Sequence, residues 1–144
     1  NHFSLIKNVQ NKTHGFTEVV PLPFVHMGSP IYLRGKSMPG PTWDEIVLIH
    51  SLARIYFVNL IDNIQASWVK LGHDGAGKLL HAGVNDLGGT LINENISRAS
   101  GADHGQETTQ DQFIQIIESE NKNPVLRNTL YTEFIETKNS LEKR

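Results

Sequence analysis

The residues best suited to chemistry gather in two short stretches. One is Asn63-Ile64-Gln65-Ala66-Ser67-Trp68-Val69-Lys70; the other is Asn85-Asp86-Leu87-Gly88-Gly89-Thr90. Read as a strand, the first stretch places Ile64, Ala66 and Trp68 on one face and Gln65 and Ser67 on the other. A strand of a buried parallel sheet is normally apolar on both faces. The polar face therefore points to a wet lumen or a ligand pocket, with Gln65 and Ser67 hydrogen-bonding a ligand at the mouth of the sheet. Lys70, at the strand's end, could hold a carboxylate or phosphate there. The plainer alternatives are two satisfied core polar groups and a solvated lysine. In the second stretch, Asn85, Asp86 and Thr90 flank a Gly-Gly pair that lets backbone approach closely. Such a turn can offer free N–H groups at a helix N-terminus to an anion or a ribose. It can equally be a strand-to-helix turn capped by Thr90. It is neither a GxGxxG fingerprint nor a phosphate loop.

Glu18 shares a strand face with Phe16, Val20 and Leu22. A carboxylate on a buried face is costly unless paired or hydrogen-bonded. It reads as a pocket acid or substrate clamp, or as a partner of an arginine such as Arg34. Seven histidines are present, but their spacing matches no HExxH-type site. His26, just past a proline-broken strand end, is the best pocket candidate among them. His50 adjoins the apolar stripe of its helix and reads as a packed core residue. No Ser/His/Asp nucleophile arrangement is legible, and no Gly-x-Ser-x-Gly elbow occurs. No catalytic residue is assignable from spacing, and no metal ligands are.

The elements that must carry these residues alternate. Phe3, Ile6 and Val9 predict a short helix over 2–10, and Gly15 a stop. Phe16–Phe24 reads as a strand that leaves its sheet at Pro21 and Pro23. Met27–Pro41, with three prolines and three glycines, reads as a long ordered loop or lid. Thr42-Trp43-Asp44-Glu45 is a capping box. The helix behind it, with Ile46, Ile49, Ala53, Tyr56 and Phe57 on its apolar stripe, should run to about Asn59. The strand 63–70 follows, then a turn over 72–77, a short helix over 78–82, and a helix running from the Asn85–Thr90 turn through Arg98. A last helix is expected over about 109–120 with Phe113, Ile116 and Ile117 buried, followed by a polar tail. Strand, helix and strand in alternation point to right-handed parallel units. Only two clear strands are visible, too few for a stable parallel sheet, so further strands are expected upstream.

The bulk numbers fit a single domain. The chain has 144 residues, 38% hydrophobic and 19% charged, with net charge -2. A compact domain of this length buries roughly 70% of its unfolded surface. That charge argues against nucleic acid or an anionic membrane as the main partner. No apolar run reaches the length of a membrane span, and no signal peptide is visible. There are no cysteines, which excludes disulfides, thiolate catalysis and cysteine-held clusters within the chain. The chain begins at Asn1 in what reads as the middle of a helix, so a fragment of a longer protein is expected.

Several blocks carry a family resemblance: Gly15-Phe16-Thr17-Glu18, Pro21-Leu22-Pro23-Phe24, Pro39-Gly40-Pro41-Thr42, Asn63 to Gly72, and Asn85 through Arg98. Together they resemble the C-terminal part of radical S-adenosylmethionine enzymes, and among these the tyrosine-using half of the deazaflavin synthases. The resemblance runs from about Asn1 to Tyr131, leaving 132–144 as a polar C-terminal tail. The blocks Gln65–Lys70 and Asn85–Thr90 are shared with the related futalosine (menaquinone-pathway) radical enzymes. The run Pro21-Leu22-Pro23-Phe24-Val25-His26 and the following Gly28-Ser29-Pro30-Ile31-Tyr32-Leu33 favour the deazaflavin branch.

The resemblance implies an α/β fold, the C-terminal portion of a β/α (TIM-like) barrel. It implies a cytoplasmic transferase in which S-adenosylmethionine is cleaved at a [4Fe-4S] cluster and tyrosine yields a hydroxybenzyl fragment. That fragment joins 5-amino-6-(D-ribitylamino)uracil, and a second synthase half closes the deazaflavin ring. Glu18, His26, Gln65, Ser67, Lys70, Asn85, Asp86 and Thr90 would line the pocket for substrate or S-adenosylmethionine. The family's CxxxCxxC motif, whose three thiolates leave one iron open, is absent, so this chain alone is expected to be inactive. Two other readings stand beside this one: a futalosine-pathway enzyme, and a stand-alone small-ligand binding domain that needs no cluster.

Overall fold

The computed structural model describes residues 2–90 and 107–137. In chain order the elements are α1 (His2–Thr13), β1 (Glu18–Val19), α2 (Pro30–Leu33), α3 (Trp43–Tyr56), β2 (Asn63–Ile64), α4 (Trp68–Leu79), α5 (Gln110–Ser119), β3 (Val125–Arg127) and β4 (Phe134–Glu136). β1 and β2 are parallel, with Glu18 opposite Asn63 and Val19 opposite Ile64. A parallel bridge between Gln65 and Asp86 extends the pairing to a third segment. Its hydrogen bonds run from Gln65 N to Val19 O at 2.9 Å, from Ala66 N to Asp86 O at 2.9 Å and from Asn85 N to Ile64 O at 3.0 Å. Helical connections separate the three segments, α2 and α3 first and then α4. The expected strand-helix alternation is therefore present, with much shorter strands.

Two expected strands shrink to two residues each. At 16–24 only Glu18 and Val19 pair, because Pro21 and Pro23 cannot donate to a ladder. At 63–70 the chain turns into α4 after Ala66, and the Ser67 carbonyl accepts from Lys70 N at 3.0 Å and Leu71 N at 3.1 Å. The face assignment survives this shortening. Ile64, Ala66 and Trp68 are buried, while Gln65 and Ser67 are only partly so. The turn expected over 72–77 is helical instead. α4 runs through it with one break at Gly72, whose φ of 70° only glycine adopts cheaply. The helix expected from Asn85–Thr90 through Arg98 lies largely outside the described residues.

The core forms where α3 lies against the parallel segments. Phe57, Ile64, Leu79 and His50 are its largest fully buried side chains. Thr42 and Glu45 make the anticipated capping box, so α3 starts where its sequence says it should. Phe3 and Ile6 of α1 pack on this core. Val9 does not. Gln10 is buried in its place, bonding the carbonyls of Phe16 and Leu60 at 3.0 Å each and accepting from Phe16 N at 2.9 Å. α5 caps α4 through Phe113, whose ring stands edge-on to Trp68 at 6.0 Å, and through Ile116 and Ile117.

His50 is a core residue, as its position beside the apolar stripe suggested. It is fully buried, its Nδ1 lies 2.7 Å from the Ile46 carbonyl, and its Nε2 has no hydrogen-bond partner among the described residues. Burial pushes its pKa below the ordinary histidine value of 6.5. A group whose folded pKa is depressed while uncharged binds fewer protons folded than unfolded once pH falls below 6.5. Stability is therefore expected to hold above that pH and decline below it. Urea midpoints measured across this range should drop on the acid side, and His50→Gln should flatten the decline. An equal decline in that variant would assign it to other groups.

Candidate functional site

Asp86 sits at the third parallel segment with its side chain only 8% exposed, and its carboxylate is a hub. Arg127 of β3 grips it with two bonds, Nε to Oδ2 at 2.6 Å and Nη2 to Oδ1 at 2.9 Å. Oδ1 also accepts from Gly88 N at 2.6 Å and from Gln65 Nε2 at 3.2 Å. Gly88 has φ +80°, and a Cβ there would meet Gln65 Nε2 at 2.8 Å. Glycine at this position thus lets the turn close on Asp86 without displacing Gln65.

Glu18, on β1, extends the cluster. Its Oε2 accepts from the Tyr131 hydroxyl at 2.5 Å and lies 3.9 Å from Arg127 Nη2. The Arg127 guanidinium stacks over the Tyr131 ring, 4.2 Å from its centroid. Burial, and then the bond to Glu18, push the Tyr131 phenol well above its ordinary range, so it is a hydrogen-bond donor at neutral pH. The bond to Asp86 holds Arg127 charged. Two carboxylates and one guanidinium leave the cluster with a net negative charge. Asp86, Gly88, Arg127 and Tyr131 line a cleft of about 840 Å³ that Asn85, Gly89 and Thr90 also border.

The other candidate residues have different positions. His26 lies outside this cleft. Its Nδ1 accepts from Gly40 N at 2.8 Å and its ring meets Tyr32 edge-on at 4.6 Å, so it braces the 27–41 loop. Gly40 is tightly fitted there, since a Cβ would fall 2.0 Å from the Phe24 carbonyl oxygen. Ser67 is the residue before α4, with no side-chain cap bond. Lys70 lies in the first turn of that helix, partly buried, rather than at a strand end. Asn85 borders the cleft, but its Oδ1 accepts from Ile64 N at 2.9 Å and from Arg54 Nη2 at 2.5 Å. Its amide thus ties α3 to the strand ends. Glu18 has an arginine partner as one sequence reading allowed, but the partner is Arg127, not Arg34.

Arg127 and Tyr131 fall in the polar stretch that follows the last expected helix, where the sequence reading assigns no element and no site residue. They belong to a hairpin in which Val125 pairs with Glu136, Leu126 with Ile135 and Arg127 with Phe134. Its turn is held by Asn128, which accepts from Thr132 N at 3.0 Å and donates to Thr132 Oγ1 at 2.8 Å. Tyr131 takes a φ of 57° there. The apolar pairs Val125-Leu126 and Phe134-Ile135, separated by Asn128-Thr129, were the available signal.

Comparison with known proteins bears on this arrangement. The family model described as "CofH/MqnC C-terminal region" matches residues 13–141. This chain belongs to that family. It is 52% identical over 130 residues to the 5-amino-6-(D-ribitylamino)uracil–L-tyrosine 4-hydroxyphenyl transferase of Methanopyrus kandleri, covering 90% of this chain and 35% of that protein. The protein of the same name from Methanothermobacter thermautotrophicus is 46% identical over 133 residues, covering 92% of this chain and 36% of its own length. The FO synthase of Mycobacterium leprae is 45% identical over 130 residues, covering 90% of this chain and 15% of its length. The chain thus spans about a third of the length of these two transferases, with 35% and 36% covered. It holds no cysteine, and among the described residues no group of three or more His, Cys, Asp or Glu is placed to hold a metal ion. These residues do not fit an iron–sulfur cluster. Among the described residues, no helix is long and apolar enough to cross a membrane.

Proposed function

We propose that this segment forms the last strands and closing helices of a β/α barrel in a transferase that joins the 4-hydroxybenzyl group of L-tyrosine to 5-amino-6-(D-ribitylamino)uracil. One observation carries the choice of reaction: 52% identity to a transferase of that name across 90% of this chain. The parallel segments at Glu18–Val19, Asn63–Gln65 and Asp86, each joined to the next by helix, are consistent with consecutive barrel strands. Gln65 and Asp86 stand at the C-terminal ends of their segments, the side on which barrel enzymes bind substrate. Leu48, Leu52 and Ile55 form an exposed apolar face on α3, as expected of a piece that packs against further polypeptide.

In this reading the reaction is of the radical S-adenosylmethionine type, in cytoplasm. The cluster is held by polypeptide other than these 144 residues, since none of them is a cysteine. This chain's own residues bind and orient. Asp86 offers its carboxylate to amino and hydroxyl groups entering the cleft it lines, while Glu18, outside that lining, steadies Tyr131 and Arg127. A second synthase half would take up the product, as the longer FO synthase relatives suggest.

The test uses the complete enzyme under anaerobic reducing conditions with S-adenosylmethionine, tyrosine and ribityl-diaminouracil, with products read by mass spectrometry. The hydroxybenzyl adduct is the expected product. Its absence, with turnover of a menaquinone-pathway substrate instead, would transfer the segment to the other branch of its family.

A further inference from the structure

We propose that Arg127 and Tyr131 are positioning residues of the candidate site, and that the β3–β4 hairpin exists to deliver them. The proposal deepens the functional reading above and rests on it for the identity of the substrates.

The hairpin has little apolar reason to sit where it does. Leu126, Leu130, Phe134 and Ile135 are exposed. Its side-chain ties to the parallel segments are polar: Arg127 to Asp86 and Glu18, and Tyr131 to Glu18. A partly buried ion pair is a poor way to gain stability, because apolar residues of similar volume usually do as well. A guanidinium fork does something they cannot. It fixes the plane of the carboxylate it grips.

The consequence passes from Asp86 to its other partners. With both carboxylate oxygens aligned by Arg127, Oδ1 is placed to accept from Gly88 N and Gln65 Nε2 together. The Gln65 amide is then turned with its nitrogen toward Asp86. Tyr131 does the same for Glu18, whose Oε2 it holds by a single short bond. Gln65, Asp86 and Glu18 come from three different chain segments. The hairpin reaches two of them directly, Asp86 through Arg127 and Glu18 through Tyr131, and the third, Gln65, through Asp86. Without it each side chain retains its backbone position and loses its orientation.

The test compares Arg127→Met, Arg127→Lys and Tyr131→Phe with Ile135→Thr, an outward-facing control. Hydrogen exchange is followed at peptides spanning 63–67 and 84–88 with no substrate present, so this readout does not depend on which reaction is catalysed. In the complete enzyme, KM and kcat are measured for both substrates. Arg127→Met and Tyr131→Phe are expected to speed exchange at 84–88 or 63–67 and to raise KM by about tenfold or more, since misplacements near 1 Å carry penalties of that size. Arg127→Lys keeps the charge and loses the fork, so it should recover thermal stability without recovering KM. Full recovery of KM by Arg127→Lys would overturn the proposal. So would unchanged exchange and KM in Arg127→Met and Tyr131→Phe. If exchange responds as expected and neither substrate turns over in the parent enzyme, the positioning role stands and the assigned reaction fails.

Discussion

Asp86→Ala is expected to destabilise the protein by about 3 kcal/mol and to remove activity in the complete enzyme. The estimate follows from what remains behind. Arg127, 21% exposed at its side chain, loses the acceptor for two charge-assisted bonds. Gly88 N and Gln65 Nε2 lose theirs as well. Breaking one partner of a buried pair costs more than the pair contributes, because the other charge stays desolvated. The same reasoning makes the double variant informative. Asp86→Ala with Arg127→Met removes both charges and should lie closer to the parent than the sum of the single changes, by about 1–2 kcal/mol. Urea unfolding of the four proteins measures this directly. A cost below about 1 kcal/mol for Asp86→Ala would mean that the pair behaves as an exposed surface bridge.

This prediction depends on a contact that no local pattern announces. Arg127 and Asp86 are separated by 41 residues, and Tyr131 and Glu18 by 113. Pairing at such range has no period. The elements that were legible are those whose cause is local. The Thr42–Glu45 capping box is a four-residue circuit, and it forms as read. The alternation over 64–68 gave the correct buried and partly buried faces even though the strand ends at Ile64, because burial there follows side-chain direction. His50 was legible for the same reason. His26 shows the opposite case. A histidine after a proline-broken strand satisfies the description of a pocket residue, and equally that of a loop brace. The Gly40 N–H that selects the second role lies 14 residues away.

The site and the core therefore answer to different parts of the sequence. Ile64, Ala66 and Trp68 hold the segment 63–68 in place from one side, so Gln65 on the other side is free to serve Asp86. Asn85 belongs with the first group. Arg54 reaches it from α3, and also bonds the carbonyls of Gly83 at 2.7 Å and Asp62 at 2.6 Å. Those bonds set where the third parallel segment runs, while the hairpin sets how its carboxylate is aimed.

Separation of the two layers gives the second large effect. Phe57→Ala should cost about 3–5 kcal/mol, the range for emptying a fully buried aromatic site. Phe57 is 0% exposed, and its ring lies 5.0 Å from Phe3 and 5.3 Å from Tyr56 by centroid distance. It joins α1 to the end of α3 and the core beneath β2, and that space cannot refill without moving α1. Against a typical total of about 5–15 kcal/mol, such a loss leaves a large unfolded fraction near physiological temperature. Phe57→Leu keeps most of the volume and should cost no more than about 1.5 kcal/mol. Neither change touches the carboxylates or the hairpin. In the complete enzyme, KM for both substrates should therefore stay at the parent value in whatever fraction remains folded, while the urea midpoint falls. A rise in KM for Phe57→Leu, with its fold intact, would show that the core and the site are one mechanical unit rather than two.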